Sequence, residues 1–246
     1  MPGSDRSYPS VWARPPRKER SSLTREQIVS EAVRLLDSEG IDALSMRKLA
    51  ARLESGATSI YWHVANRDEL IELIIDEVYG EFAVPSSDDV ADWRPAVRQV
   101  AHDMRSGIVR HPWMVSVLDH LAAAHLGPNA TRFADGLLAL FQRAGFGLRE
   151  AERALTTLGA YVTGVAMAEA GWRNWLARHG QSEQEWLADS NQDARRAAED
   201  YPRLRELVDG YQGVDVQKAM DEDFAYGLDC VLDGLQARLD RPSASP

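Results

Sequence analysis

Between Ser45 and His63 the chain reads SMRKLAARLESGATSIYWH, two short helical patterns parted by a break at Glu54-Ser55-Gly56. That spacing is the signature of a helix-turn-helix, in which two helices cross steeply over a turn of about three or four residues. The first pattern sets Met46, Leu49, Ala50 and Leu53 on one face at i, i+3, i+4 and i+7, which leaves Arg47, Lys48 and Arg52 toward solvent. The second is small and polar at Gly56, Ala57, Thr58 and Ser59, then aromatic at Tyr61 and Trp62. A helix whose first turn carries only small side chains can approach the floor of a major groove, while bulkier residues behind it brace against the sugar-phosphate wall.

The net charge of −10 runs against nucleic-acid binding until it is divided along the chain. Residues 1–67 hold 11 Lys+Arg against 8 Asp+Glu, and residues 68–246 hold 17 against 30. The basic excess therefore coincides with the helix-turn-helix. An acidic remainder is repelled by phosphate, so only one orientation docks.

Elsewhere the patterns are helical, with no strand alternation, and the expected class is all-α. Residues 1–22 are rich in Pro, Arg and Ser and read as a disordered basic tail. Their cluster Arg14, Arg17, Lys18 and Arg20 reads as a solvated leader, with a minor-groove arm as the alternative. Order is expected from Leu23. Thr24 as N-cap with Gln27 three residues on, and Gly40 as stop, bound a first helix; Ser45 starts a second, and Asn66 with Glu69 starts a fourth that runs to about Phe82. Pro85-Ser86-Ser87-Asp88-Asp89 reads as a hinge, dividing a head over 23–84, a three-helix DNA-binding unit with that fourth helix after it, from a larger body over 92–240, with a tail at 241–246.

In the body, helical patterns run from Trp93 to Arg110, from Trp113 to about His125, from Thr131 to Ala144 and from Leu148 to about His179. Residues 180–200 are polar and read as an exposed connection or a frayed helix. A short helix over Leu204–Val208 and a last one over about Val216–Leu239 follow, the latter with Phe224, Leu228, Val231, Leu232, Leu235 and Leu239 at helical spacing. Apolar stripes on the long and terminal helices suit pairing with a second copy, and a homodimer is expected.

Several functions are excluded by what the sequence lacks. No apolar run approaches the length of a membrane span, and no basic-then-apolar leader is present, so a cytoplasmic address is expected with no membrane partner. The single cysteine, Cys230, excludes an intrachain disulfide and reads as a small core residue of its helix. His102, His111, His120 and His125 form no HExxH or i, i+4 pair. No Gly-rich phosphate loop, nucleophile elbow or Cys/His couple appears. An enzyme is not expected, nor a metal or cofactor.

Two stretches, LTREQIVSEAVRLLDSEGIDALSMRKLAARL and SIYWHVANRDEL, resemble the N-terminal domain of the TetR family of bacterial transcriptional regulators over residues 23–82, and YWHV at Tyr61–Val64 is similar to its tetracycline-repressor branch. Weaker similarity continues at AHLG (124–127), AGFGLREAERAL (144–155) and FAYGLDCVLDGLQARL (224–239). The resemblance implies a homodimer with two DNA-binding heads, a ligand pocket in each body, and release of the operator by a small molecule. It implies that Ser45 binds phosphate and Arg47 reaches a base edge through its bidentate fork. Ala57, Thr58 and Ser59 would face the groove floor, and Tyr61, Trp62, His63 and Arg67 the backbone or flanking bases. Ligand contacts are expected among His125, Phe133, Tyr161 and Met167, with the effector's identity open.

The chain departs from the family pattern in two places. Its turn has Glu54 and Ser55 where a glycine and a hydrophobic residue are usual, which implies altered turn geometry and operator preference. Pro128 and Ala168 replace a hydroxyl and an acid near His125, with Glu169 one step off, so a tetracycline-magnesium ligand does not follow. Two rivals remain beside the ligand-responsive repressor: a small-molecule binder of the same fold that has lost DNA binding, and a ligand-independent DNA-binding protein.

Overall fold

In the first helix, α1 (Arg25–Glu39), the capping box forms as read: Gln27 N donates to Thr24 Oγ1 at 3.2 Å and Thr24 N to Gln27 Oε1 at 2.9 Å. A computed structural model describes residues 23–84, 92–117, 127–211 and 213–241 of the chain. Gly40, at φ 76°, ends α1 in a backbone region that side chains disfavour. A 3₁₀ turn (Ile41–Ala43) then leads to α2 (Met46–Arg52), α3 (Ala57–His63) and α4 (Arg67–Gly80).

These four helices share one core. α1 buries Ile28, Val29, Ala32, Leu35 and Leu36; α2 adds Leu49 and Ala50; α3 adds Ile60. α4 differs in kind, because Leu70, Ile71, Leu73, Ile74, Ile75 and Val78 are buried around most of its circumference. It packs on α1 with one side and on a body helix with the other. At about 1.5–3 kcal/mol per buried aliphatic side chain, α4 holds the two parts of the chain together.

The body comprises α5 (Trp93–Arg110), a 3₁₀ segment (Pro112–Val117), α6 (Pro128–Arg143), α7 (Leu148–His179), α8 (Glu183–Ala197), α9 (Pro202–Gly210) and α10 (Val216–Leu239). α7, with 32 residues, is about 48 Å long and is packed by α5, α6 and α10. One connected set of buried side chains extends from Leu23 to Leu235. No strand occurs among the described residues, and no described helix is long and apolar enough to cross a membrane.

Four readings need correction or extension. Residues 183–197 are a helix, since Ser182 and Glu185 form a second capping box (Glu185 N to Ser182 Oγ 3.2 Å, Ser182 N to Glu185 Oε2 2.8 Å). α6 and α9 begin earlier than their apolar periodicity suggests, because Pro128 and Pro202 occupy the first turn, where a missing N–H costs nothing. Cys230 is exposed rather than a core residue: α10 buries Phe224, Leu228, Leu232 and Leu235, and a residue two places from Leu228 points away from that stripe. Most of the apolar stripe of α10 (Phe224, Leu228, Leu232 and Leu235) and the buried residues of α7 pack inside the chain, whereas Val231 and Leu239 are only half-buried. The tails at 1–22 and 242–246, the hinge at 85–89, and the stretch from 118 to His125 lie outside the described residues.

Candidate nucleic-acid interface

The turn between α2 and α3 passes through one left-handed residue, Glu54, at φ 49°. For a residue with a Cβ this conformation costs about 1–2 kcal/mol. Ser55 N donates to Ala50 O at 2.9 Å, closing the turn. The Ser55 hydroxyl, however, is buried without a partner. Gly56 sits at an ordinary φ of −77° as N-cap of α3 and is not the residue that turns the chain. The departure seen in the sequence thus puts a residue with a side chain at the left-handed position of the turn.

α3 is anchored by Ile60 and, just beyond it, Val64, both fully buried. Its other face is open: Thr58 is exposed, Tyr61 is 48% and Trp62 60% exposed, and Ala57, Ser59 and His63 are half-buried. Two neighbouring aromatic rings exposed on one short helix offer a candidate contact surface. Ser45 caps α2, its Oγ accepting from Lys48 N at 3.2 Å, which leaves its own O–H directed elsewhere. Arg67 opens α4, and its guanidinium lies 3.4 Å from the Ile41 carbonyl.

The basic face expected on α2 does face solvent at Arg47 and Arg52, but two of its three cations are paired with carboxylates of α1. Arg52 donates to Glu31 at 2.6 Å and to Glu39 at 3.3 Å, and Lys48 pairs with Glu39. The Arg52 hydrogen bond, opposed by partial burial, holds the Glu31 carboxyl below its ordinary pKa. Both cations bend back onto α1 because its acidic residues stand at the crossing of the two helices. Of the three, only Arg47 has no carboxylate partner among the described residues, and it is exposed.

In the body, Phe133 is buried, edge-on to Tyr79 (5.7 Å) and Phe82 (5.7 Å). The Tyr161 hydroxyl donates to the Phe224 carbonyl at 2.8 Å, and Met167 is half-buried against the core. Glu169 is buried and consumed by two cations: Arg105 Nε lies 2.8 Å from its Oε2 and an Arg173 nitrogen 2.9 Å from its Oε1. Arg105 also reaches Asp221 at 2.8 Å and stacks over the Phe224 ring at 4.8 Å. Ala168 is exposed. A cavity of about 330 Å³ opens between α7 and α10, lined by Phe146, Arg153, Leu235 and Arg238 among others, and not by Phe133, Tyr161 or Met167.

Two junction residues were missed from the sequence. Asp76, buried on α4, accepts from Ala130 N at 2.9 Å and Asn129 N at 3.3 Å at the start of α6. His111, read only among possible metal ligands and as a helix end before Pro112, contacts carboxylates on both sides of its ring. Neither has a sequence motif, because each partner lies many residues away.

Two short contacting helices joined by a tight turn, the second facing outward and both carried on a larger helical body, are the arrangement of a helix-turn-helix DNA-binding regulator. The model of bacterial regulatory proteins of the tetR family matches residues 28–74, and that of the tetracyclin repressor-like C-terminal domain matches 85–239. An HTH-type transcriptional regulator of Saccharopolyspora erythraea is 38% identical over 167 residues, 67% of this chain and 70% of that protein. The HTH-type transcriptional repressor DrrR1 of Streptomyces coeruleorubidus is 30% identical over 225 residues, 91% of this chain and 81% of the relative. The crystal structure of the Streptomyces coelicolor TetR family protein ActR in complex with actinorhodin superposes with a TM-score of 0.73 at 29% identity, covering 92% of this chain and all of that one. The chain belongs to the TetR family of transcriptional regulators.

Proposed function

We propose that this regulator is a repressor which binds a pseudo-palindromic operator as a homodimer and is released by a small-molecule effector. The exposure of Tyr61 and Trp62 on α3, beside the small residues Ala57, Thr58 and Ser59, carries the reading. In this reading Arg47 takes a base edge, Ser45 and Arg67 take phosphates, and Tyr61, Trp62 and His63 brace the groove wall. Residues 23–84 act as the DNA-binding unit and 92–240 as the effector-binding and dimerising unit.

Support for the dimer comes from the outer faces of α7 and α10. Ala160, Gly164 and Ala168 recur every fourth residue on α7 and are exposed, and Tyr226, Cys230, Gly234 and Ala237 are exposed along α10. A Cβ built at Gly164 or Gly234 meets nothing within 4 Å. Small side chains let two helices approach closely, so these faces suit a four-helix contact with a second copy about a twofold axis. The two α3 helices then span about 34–36 Å, or a multiple of it, to enter successive major grooves.

Support for an effector comes from the relatives: ActR is described in complex with actinorhodin. The effector of this chain is proposed to bind in the body, with the half-buried Tyr161 and Met167 as candidate contacts, although the cavity between α7 and α10 is lined by neither. Phe133 is buried against the Tyr79 and Phe82 rings, and His125 lies outside the described residues. The committed acid Glu169 speaks against a metal-borne ligand there. The test is a gel shift of the full chain on DNA from upstream of its own gene, followed by titration of candidate effectors. A shift that an effector reverses supports the reading; a shift that none reverses favours a ligand-independent DNA-binding protein, and no shift favours a small-molecule binder.

A further inference from the structure

His111 ends α5 and is 3% exposed, yet its ring lies between two carboxylates from other elements. Nδ1 is 2.7 Å from Asp37 Oδ1, near the end of α1, and Nε2 is 3.2 Å from Glu81 Oε1, just past α4. Trp113 Nε1 donates to the same Asp37 oxygen at 2.8 Å, and Arg110 pairs with Glu81 at 2.5 Å. The charged groups facing the ring among the described residues are therefore Asp37 from α1, Glu81 after α4 and Arg110 from α5; Trp113, from the 3₁₀ segment, is neutral. One side chain thus joins the body to both ends of the helix set that carries the interface.

A neutral imidazole has one N–H and one lone pair. Between two carboxylates, the neutral ring must turn its lone pair toward one of them, whereas the imidazolium donates to both. Burial opposes the charge and is the largest single influence on the ring, but the Asp37 and Glu81 hydrogen bonds and charges together outweigh it, and its pKa is raised above 6.5.

We infer that His111 is a proton-operated clamp: the imidazolium holds Asp37 of α1 and Glu81 past α4 to the body at once in the operator-binding arrangement, and loss of its proton breaks one of these two bonds and loosens the joint. The inference rests on the repressor reading, in which the ligand-free form binds operator. His111 touches no DNA and acts as a positioning residue through Asp37 and Glu81. Because the folded pKa is raised, the clamp contributes fully below the ordinary histidine pKa of about 6.5 and is lost as pH rises through the raised value.

The test compares the full-length wild type with His111→Gln and Asp37→Asn. Operator affinity is measured by fluorescence anisotropy at fixed salt from about pH 6 to about pH 8.5, beside urea unfolding over the same range. Wild-type affinity should fall with rising pH relative to His111→Gln, by about tenfold for each unit by which clamping raises the histidine pKa. Asp37→Asn keeps an acceptor for Trp113 but removes one charge, so its midpoint should move to lower pH. Wild-type and His111→Gln curves parallel within about twofold would overturn the clamp. Should His111→Gln not fold, an unmoved midpoint in Asp37→Asn overturns it equally. If no protein binds any duplex, the repressor reading fails by itself; unfolding profiles then decide the clamp, which falls if wild type and Asp37→Asn lose stability in parallel as pH rises.

Discussion

The Asp76 carboxylate on α4 accepts the backbone N–H of Ala130 at 2.9 Å, capping α6 from a different element. The first turn of a helix has N–H groups with no partner inside the helix, and a carboxylate there gains both hydrogen bonds and the favourable end of the peptide dipoles. Asn129 adds a return bond, its amide nitrogen donating to the Asp76 carbonyl at 3.1 Å. Together these bonds tie α4 to the first turn of α6.

Asp76→Ala should therefore destabilise the protein by about 1–3 kcal/mol, since it leaves buried N–H groups unpartnered. Urea unfolding measures this. A loss below about 0.5 kcal/mol would mean that water replaces the carboxylate without cost.

Gly107 and Phe82 make a second joint. A Cβ at Gly107 would stand 2.3 Å from the Phe82 ring, so Gly107→Ala must push that ring out of its place. The expected cost is about 1–3 kcal/mol, read as a lowered Tm, and Phe82→Leu in the same chain should restore part of it. Additive effects would show that the two residues do not meet.

At the turn, Glu54→Gly should be more stable than Glu54→Ala by about 1 kcal/mol, because only glycine enters φ 49° without strain. Ser55→Ala should add up to about 1 kcal/mol by removing a buried hydroxyl that has no partner. Thermal unfolding of the three variants checks both effects.

Arg47 and Arg52 are expected to differ although they share a short helix. Arg47→Ala should cost about 1–3 kcal/mol of operator affinity and relax preference at one base pair. Arg52→Ala should leave the salt dependence of binding unchanged, because its guanidinium is held by Glu31 and Glu39. Binding isotherms at several salt concentrations separate the two; a flatter salt slope in Arg52→Ala would place that residue on phosphate.

Local signals were legible in the sequence wherever the physics is local. Thr24, Asn66 and Gly40 announce helix ends because capping acts within three or four residues. The apolar spacing of α2 and the small-then-aromatic order of α3 likewise depend only on helical period. What the sequence hid depends on distant partners. Arg52 reads as a solvated base until Glu31, in the preceding helix, is seen beside it, and Glu169 reads as a misplaced acid until Arg105 and Arg173 claim it. Cys230 misled for a related reason: its helix is amphipathic, and a small residue does not reveal which side it occupies. His111 and Asp76 carry no motif, since their meaning comes from three elements meeting at one point.

The most direct measurement is a footprint of the full-length protein on DNA from upstream of its own gene, repeated with Trp62→Ala. The expected result is a protected site of twofold symmetry at low salt, weakened when Trp62 is cut back. Absence of any protected sequence at every ionic strength, or protection indifferent to Trp62, would contradict the assignment of the exposed face of α3 to the DNA groove.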